Sequence, residues 1–264
     1  MYFLGLDVGS STCKAVLVDG AGAVVGASIV PTGARNLDAI ARARREALDR
    51  AQAAPAQVAA PVATGYGRDR VEGRLAAVTE ITCHARGIRA LLPDTEVLVD
   101  IGGQDSKATL LDPQAGRVVE FAMNDKCAAG TGRFLETMAR VLEVGVAELG
   151  ALDAAASQDL TLSSVCTVFA ESEVVSLLAG GTDRADIARG LHRAIAARTR
   201  ALVRRVARSA GAMRISMSGG VARNRGVVRA LGEALGAAVR VAPEPDTVGA
   251  LGAALIARER AGRA

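Results

Sequence analysis

An α/β fold of two similar lobes is predicted by three observations. A thirteen-residue pattern is written twice, each copy follows an apolar β-type run, and the chain runs from sheet to helices two times over. Asp7-Val8-Gly9-Ser10-Ser11-Thr12-Cys13-Lys14-Ala15-Val16-Leu17-Val18-Asp19 is the first copy. Asp100-Ile101-Gly102-Gly103-Gln104-Asp105-Ser106-Lys107-Ala108-Thr109-Leu110-Leu111-Asp112 is the second, and Asp, Gly, Lys, Ala, Leu and Asp coincide at six places, 93 residues apart. Each copy reads strand, tight polar turn, strand. Two such turns can face each other across a cleft and hold one phosphate chain with backbone amides, hydroxyls and a Lys each.

The elements follow in order. Residues 1–30 read as a strand meander, with Asp19-Gly20 and Ala21-Gly22 at its turns. Over 36–53, Ile40, Ala41, Ala47, Leu48 and Ala51 have helical spacing behind Asn36 or Asp38 as cap. Pro61–Arg68 reads as a short strand entering a glycine turn, and 81–91 as a helix closed by Pro93. The second copy begins near Glu96. After Gly130-Thr131-Gly132 the pattern turns helical, with Phe134, Leu135, Met138 and Leu142 on one face. Leu160–Ser163 reads as a strand. A helix then runs from just past Cys166 to Leu178 and stops at Gly180-Gly181. Residues 186–210 form a long helix. Arg214–Met217 is a strand ending in Ser218-Gly219-Gly220, a third glycine turn that opens another helix. Val239–Ala242 is a strand, Pro243–Val248 a turn, and Gly249–Arg260 a helix of small residues. The expected division is 1–94 for the first lobe and 95–248 for the second, with 249–264 packing back on the first.

Composition narrows the function. Half of the 264 residues are apolar, yet only six are aromatic, so the core must be Ala, Val and Leu. Nucleic-acid binding by stacking on an aromatic platform is not expected. The formal charge is +4, spread along helix-like segments as a solvated, Arg-rich surface. No run of apolar residues is long enough to cross a membrane, and the start lacks the charged and apolar regions of a signal peptide, so a cytoplasmic location is expected. Four cysteines without a CxxC do not suggest a disulfide scaffold.

Of 32 cationic residues only Lys14, Lys107 and Lys126 are Lys. In a chain so biased toward Arg, Lys marks places that need a compact point charge rather than a guanidinium fork. Two of the three occupy matching places in the repeated turns. There Ser10, Ser11, Thr12 and Ser106 add hydroxyls suited to a polyphosphate. Asp7 and Asp100, at strand ends before the glycines, suit a hydrated Mg²⁺, and Gln104 or Asp105 suits an attacking water. These turns are neither a Walker A loop nor a GxGxxG fingerprint. They resemble the duplicated ATPase core of actin, hexokinase and the heat-shock 70 chaperones, which implies ATP binding without specifying a reaction.

Cys127 and Cys166 each sit in a polar turn ahead of a helix, whose partial positive charge favours thiolates or an anionic metal–sulfur centre. Lys126 adds to that charge. The thiols of Cys13 and Cys83 read as structural. Two cysteines cannot saturate an iron–sulfur cube, but a two-fold dimer supplies the other pair. Spacing alone leaves ordinary buried cysteines or a redox thiol pair open.

The wider stretches weigh in. Asn124-Asp125-Lys126-Cys127-Ala128-Ala129-Gly130-Thr131-Gly132-Arg133-Phe134 and Ser164-Val165-Cys166-Thr167-Val168-Phe169-Ala170-Glu171-Ser172-Glu173 resemble the two signature stretches of the 2-hydroxyacyl-CoA dehydratase activators. Thr64–Arg68, Glu80–Ala85, Asp100–Asp105, Gly219–Asn224 and Gly249–Ala254 are similar to that family too. The family includes the ATPase subunits of benzoyl-CoA reductase. The resemblance implies a homodimeric ATPase with one [4Fe-4S] cluster across the dimer axis, held by Cys127 and Cys166 of each chain. ATP and Mg²⁺ would drive transfer of one low-potential electron to an iron–sulfur CoA-thioester dehydratase or reductase, under anaerobic conditions. The site residues so implied are Asp7, Gln104 and Asp105 for catalysis. Ser10, Ser11, Thr12, Cys13, Lys14, Gly102, Gly103, Gln104, Gly219, Gly220, Asn224 and Asp246 are implied for cofactor binding. A sugar or small-molecule kinase on the same core, with Asp105 as base, is the rival reading. It leaves both cysteine stretches without a role.

Overall fold

The computed structural model describes residues 1–162, 166–208 and 210–262. These fall into two compact units: Met1–Thr95 with Leu111–Val119 and Ala242–Ala264, and Glu96–Leu110 with Glu120–Val241. Each unit is built on one five-stranded mixed sheet.

The first sheet holds β1 (Phe3–Val8), β2 (Thr12–Val18), β3 (Val24–Pro31), β4 (Val62–Thr64) and β5 (Ala76–Ala77), in the order β3-β2-β1-β4-β5. Alternation along β1 assigns its two faces. Leu4, Leu6 and Val8 join Cys13, Ala15 and Leu17 beneath α1 (Asn36–Ala51), which contributes Ala39, Ile40, Ala43 and Ala47. Phe3, Val16 and Val18 pack on the opposite face against α8 (Val248–Ala261) and Cys83 of α2 (Glu80–Leu91). The small residues of α8 have a steric reason. A Cβ at Gly5 would strike the Ala250 carbonyl, and one at Gly252 would strike the Cys83 carbonyl, so backbone meets backbone across this layer. α1 begins at Asn36 rather than after it. Its cap residue is Arg35, without a side-chain cap bond, so the expected Asn36 or Asp38 cap is not formed.

The second sheet repeats the first. It holds β6 (Val97–Ile101), β7 (Ser106–Leu111), β8 (Val118–Asn124), β9 (Ile215–Ser218) and β10 (Val239–Val241), in the order β10-β9-β6-β7-β8. Read from its other edge this is the order of the first sheet, and the pairings correspond. β1–β2 and β6–β7 are antiparallel, while β1–β4 and β6–β9 are parallel. The expected duplicated α/β fold is borne out.

Around this sheet lie α3 (Gly132–Val141), α4 (Leu149–Ala154), α5 (Thr167–Ala179), α6 (Arg184–Val206) and α7 (Arg225–Leu235). One apolar core joins Val97, Val99 and Ile101 of the sheet to Phe134, Leu135 and Met138 of α3 and to Ile187, Leu191 and Ile195 of α6.

One expected strand is not formed among the described residues. Leu160–Leu162 has no ladder partner, and the rest of that run, Ser163, lies outside the described residues. Leu162 is buried and Leu160 half-buried against a helix instead: Gly190 of α6 leaves room for the Leu160 carbonyl, 3.2 Å from where a Cβ would stand. An alternating apolar run reads the same whether a strand or a helix covers it.

Candidate functional site

The repeated turns superpose in their bonding. Asp7 pairs with Lys14 across β1 and β2, and Asp100 with Lys107 across β6 and β7. The Gly9 amide donates to the Thr12 carbonyl at 3.1 Å, and the Gly102 amide to the Asp105 carbonyl at 3.0 Å. The sixth shared residue has a structural task. Asp19 accepts the amides of Ala21 and Ala23, and Asp112 those of Gln114 and Ala115, closing the following hairpin in each copy. Those amide bonds hold the Asp112 carboxyl below its ordinary range.

Both Lys residues of the repeat neutralise a buried carboxylate. Lys14 Nζ lies 3.2 Å from Asp7 Oδ2. Lys107 Nζ lies 3.6 Å from Asp100 Oδ2 and 2.6 Å from Asp105 Oδ2. A compact ammonium fits such a place and a guanidinium does not. Lys126, by contrast, is exposed. Asp105 is thus bound to a cation, while Gln104 beside it is exposed. That weakens the motive for Asp105 as a kinase base.

A second pair of turns meets the same carboxylates. Thr64 ends β4 beside Asp7, and Ser218 ends β9 beside Asp100. Gly65 and Gly219 follow, with φ of +87° and +84°. A Cβ at Gly65 would stand 2.6 Å from Asp7 Oδ1, and one at Gly219 would strike the Ile101 carbonyl and stand 3.0 Å from Asp100 Oδ1. Only glycine combines that backbone with that approach. The Ser218 hydroxyl donates to Asp100 Oδ1 at 2.8 Å. Thr64 thereby lies beside the same carboxylate, although the sequence marks it only as part of a short strand within a family-like stretch and assigns it no role. Among the described residues, the buried Ser11 hydroxyl oxygen has no hydrogen-bond partner, whereas the Thr64 hydroxyl bonds with the Cys83 thiol. A buried hydroxyl left unsatisfied is costly, which fits a group awaiting a ligand.

His84 carries no signal of its own in the sequence. Its Nδ1 stands 3.1 Å from the Glu80 carbonyl, and a Cβ at Gly249 would lie 2.9 Å from its Nε2 and 3.3 Å from Asp7 Oδ2. Glycine at 249 keeps the Asp7 carboxylate uncrowded.

Other expected residues take different places. Cys13 faces the α1 core, opposite to Lys14, and burial pushes its thiol up to about 12. Only its backbone belongs to the turn. Burial also pushes Cys83 up to about 12. Asn224 spends its amide on structure. Its Oδ1 accepts the Val227 amide to cap α7, and its Nδ2 meets His192 Nε2 at 3.1 Å. His192 Nδ1 lies 2.7 Å from Asp153 Oδ2, and Arg189 and Arg229 reach the same carboxylate. Hydrogen bonds and charge from His192 and Arg229 overcome burial and lower the Asp153 carboxyl to about 2. Gly219 and Gly220 lie in the second unit, and Asp246, in a short 3₁₀ turn before α8, in the first.

The two cysteines of interest are the accessible ones. Cys166 is exposed and is the cap residue of α5, and Cys127 is half-buried in the loop before α3. Ser164 and Val165 of the second signature stretch lie outside the described residues. Among the described residues, no cluster of three or more His, Cys, Asp or Glu could hold a metal ion.

Paired strand–turn–strand repeats on two like sheets define the fold class of the actin- and hexokinase-like ATPases. The fold alone is shared with a ROK-family glucokinase from Streptomyces griseus, at a TM-score of 0.60 and 16% identity. The chain belongs to the BadF/BadG/BcrA/BcrD ATPase family, whose profile matches residues 4–257. It is 46% identical to the activator of lactoyl-CoA dehydratase from Anaerotignum propionicum, over 99% of both chains. Component A of the (R)-2-hydroxyglutaryl-CoA dehydratase of Acidaminococcus fermentans matches with a TM-score of 0.94 and 42% identity, over 99% of each chain. The 2-hydroxyisocaproyl-CoA dehydratase activator of Clostridium difficile, with bound ADPNP, matches with a TM-score of 0.93 and 40% identity, over 100% of this chain and 96% of that one. A benzoyl-CoA reductase polypeptide from Thauera aromatica is related more distantly, 34% identical over 66% of this chain and 63% of its own length. The resemblance read from the cysteine stretches is therefore borne out, and the chain is an ATPase. No described helix is long and apolar enough to cross a membrane.

Proposed function

We propose that this chain is the ATP-dependent, one-electron activator of a partner 2-hydroxyacyl-CoA dehydratase or benzoyl-CoA reductase-type enzyme, working in the cytoplasm as a homodimer around one [4Fe-4S] cluster. The observation that carries the reading is the accessible pair Cys127 and Cys166, each ahead of a helix, in a chain whose relatives are dehydratase activators. Helix N-termini favour thiolate over thiol. A cube takes four thiolates, so one chain falls short and a two-fold second copy makes up the set. When bound, the cluster would supply a low-potential one-electron carrier.

Exposed apolar side chains support a second copy at this face. Val168 and Phe169, in the first turn of α5 after Cys166, are 66% and 68% exposed. Phe121 and Met123, on the edge strand leading to Cys127, are also exposed. Surface of this kind beside metal ligands suits an interface rather than solvent.

The nucleotide reading rests on the paired turns. In the first unit Ser10, Ser11, Thr12 and Lys14 would bind phosphate oxygens, and in the second unit the amides of Gly102, Gly103 and Gln104 would do the same. Asp7 and Asp100 would meet Mg²⁺ through water, Gly219, Gly220 and Asp246 would face the nucleoside, and Gln104 would orient the attacking water.

Anaerobic purification tests this directly. The expected product is a brown dimer with about four irons per two chains. Cys127→Ser and Cys166→Ser should each lose that iron, and EPR of the dithionite-reduced protein should change on adding ATP. A colourless, iron-free wild type after anaerobic reconstitution would refute the proposal.

A further inference from the structure

The second turn does more than offer amides to a ligand. The Gly132 amide donates to the Gly102 carbonyl at 2.9 Å, and the Arg133 amide donates to the Gly103 carbonyl at 2.9 Å. Gly132 and Arg133 are the first two residues of α3, and Cys127 lies in the loop that enters it. The loop is itself tightly tied: Asn124 Nδ2 donates to the Cys127 carbonyl at 3.0 Å, and the buried Thr131 hydroxyl donates to the Ala128 carbonyl at 2.6 Å. Movement at the head of α3 must therefore be felt at Cys127.

We infer that these two backbone bonds transmit the nucleotide state of the second turn to the Cys127 loop, with Gly132 as the positioning residue. The inference rests on reading that turn as a phosphate site. A trans peptide is planar, with its N–H and C=O on opposite sides. The peptide joining Gly102 to Gly103 presents its carbonyl to Gly132, so the Gly103 amide points away from α3. The next peptide presents its carbonyl to Arg133, so the Gln104 amide points away too. A phosphate that takes those two amides fixes and polarises the same two planes that hold the first two amides of α3. Hydrogen bonds in series strengthen one another, so ligand on one side tightens the helix on the other.

Gly132 makes the junction possible. A Cβ there would stand 3.2 Å from the Gly102 carbonyl oxygen and 3.3 Å from Gly103 Cα, tighter than ordinary contact. Gly132→Ala needs the turn and the helix to part by a few tenths of an ångström, which stretches both bonds. Alanine favours the helix itself more than glycine does, so the damage is confined to the junction. Arg133→Pro is an independent break. It deletes the second donor at a first-turn position where proline is tolerated, and Gly132 ahead of it has no Cβ for the ring to crowd.

Hydrogen–deuterium exchange on the full chain as isolated, with and without ADPNP, reads the link without reference to electron transfer. In the wild type, ADPNP should slow exchange in 100–107 and, through the junction, in 128–140. The second effect should be about fivefold, the change in local opening that one net hydrogen bond is worth. Gly132→Ala and Arg133→Pro should keep the response in 100–107, weaken ADPNP binding by no more than about fivefold, the reciprocal of the coupling, and lose the response in 128–140. A wild-type-sized response of 128–140 in both variants overturns the inference, as does a wild type in which only 100–107 responds. If ADPNP protects neither segment of the wild type, the phosphate-site reading fails and takes the inference with it.

Discussion

In the first turn the Gly9 carbonyl accepts the Thr32 hydroxyl at 2.8 Å, from the residue just past β3. In the second the equivalent Gly102 carbonyl accepts an amide from the head of α3. The backbone of the two turns is the same, down to the Gly-to-i+3 hydrogen bond and the Asp–Lys pair across the strands. The difference is in what lies behind them. The first is fastened to its own sheet, and the second to a helix entered through a cysteine loop. Their charge differs too. Thr12 in the first copy is Asp105 in the second, so one ammonium serves two carboxylates there. Duplication supplied two equal cradles, and substitution behind and within them made one an anchor and the other a lever.

The charge difference can be broken with the largest effect. Lys107 and Asp100 are almost wholly buried, and Lys107→Ala leaves Asp100 and Asp105 without their cation. Breaking a buried pair on one side costs about 3–5 kcal/mol. Lys14 is 17% exposed and faces Asp7. Lys14→Ala should cost less, about 1–3 kcal/mol, because water reaches the site. Urea denaturation of the two variants at pH 7 compares them, and equal losses would show that the second turn is not the more tightly charged.

Where the copies agree, their variants should agree. Gly65→Ala and Gly219→Ala each force a left-handed backbone onto alanine and drive a Cβ at the strand carboxylate. The conformation alone costs about 1–3 kcal/mol. Both should lose stability by similar amounts. Asp7 and Asp100 would be displaced alike, and ADPNP affinity should fall in both. Calorimetric binding checks that, and a variant that binds normally would remove its turn from the site.

The repeat was legible because its identities are backbone requirements. Gly9 and Gly102 close a tight turn, Asp19 and Asp112 cap a hairpin, and Lys14 and Lys107 sit opposite an Asp, so each shows in a single sequence. The connections behind the turns were not legible. Thr32 meets Gly9 across 23 residues, and Gly132 meets Gly102 across 30. Neither residue type announces its partner. The bonds of Asn224 are hidden for the same reason, since they lead to His192 and on to Asp153, which are 39 residues apart from each other. Leu160–Leu162 reads as strand by pattern, and only the glycine facing it on α6 shows what buries it.

The buried Asp153 network belongs to the second unit alone, which gives the comparison a pH dimension. Its carboxyl is lowered to about 2 in the fold, below the 3.8 of an ordinary Asp. A lowered carboxyl stabilises fully above its unfolded value and loses that contribution as pH falls through the folded one. Between pH 4 and 2 the second unit should weaken around α4, α6 and the α7 cap. Exchange at 149–156, 186–194 and 224–230 should rise first. Asp153→Asn should be less stable at pH 6 and show a flatter fall on acidification, read from urea midpoints at pH 6 and 3. A wild-type slope in that variant would mean that another carboxylate carries the acid response.

The smallest effect is the sharpest control on the lever. Thr32→Val keeps the shape of the side chain and deletes the hydroxyl that the Gly9 carbonyl accepts, while the Thr32 amide still donates to the Ser11 carbonyl at 3.0 Å. The loss should be about 1 kcal/mol, the net worth of one hydrogen bond. Gly132→Ala disturbs the matching carbonyl in the second turn. If the turns differ only by what stands behind them, Thr32→Val should leave the ADPNP response of 128–140 at its wild-type size, whereas Gly132→Ala removes it. Loss of that response in Thr32→Val would mean that any loosening of either cradle silences the cysteine loop. The bonds at the head of α3 would then be one support among several instead of the route.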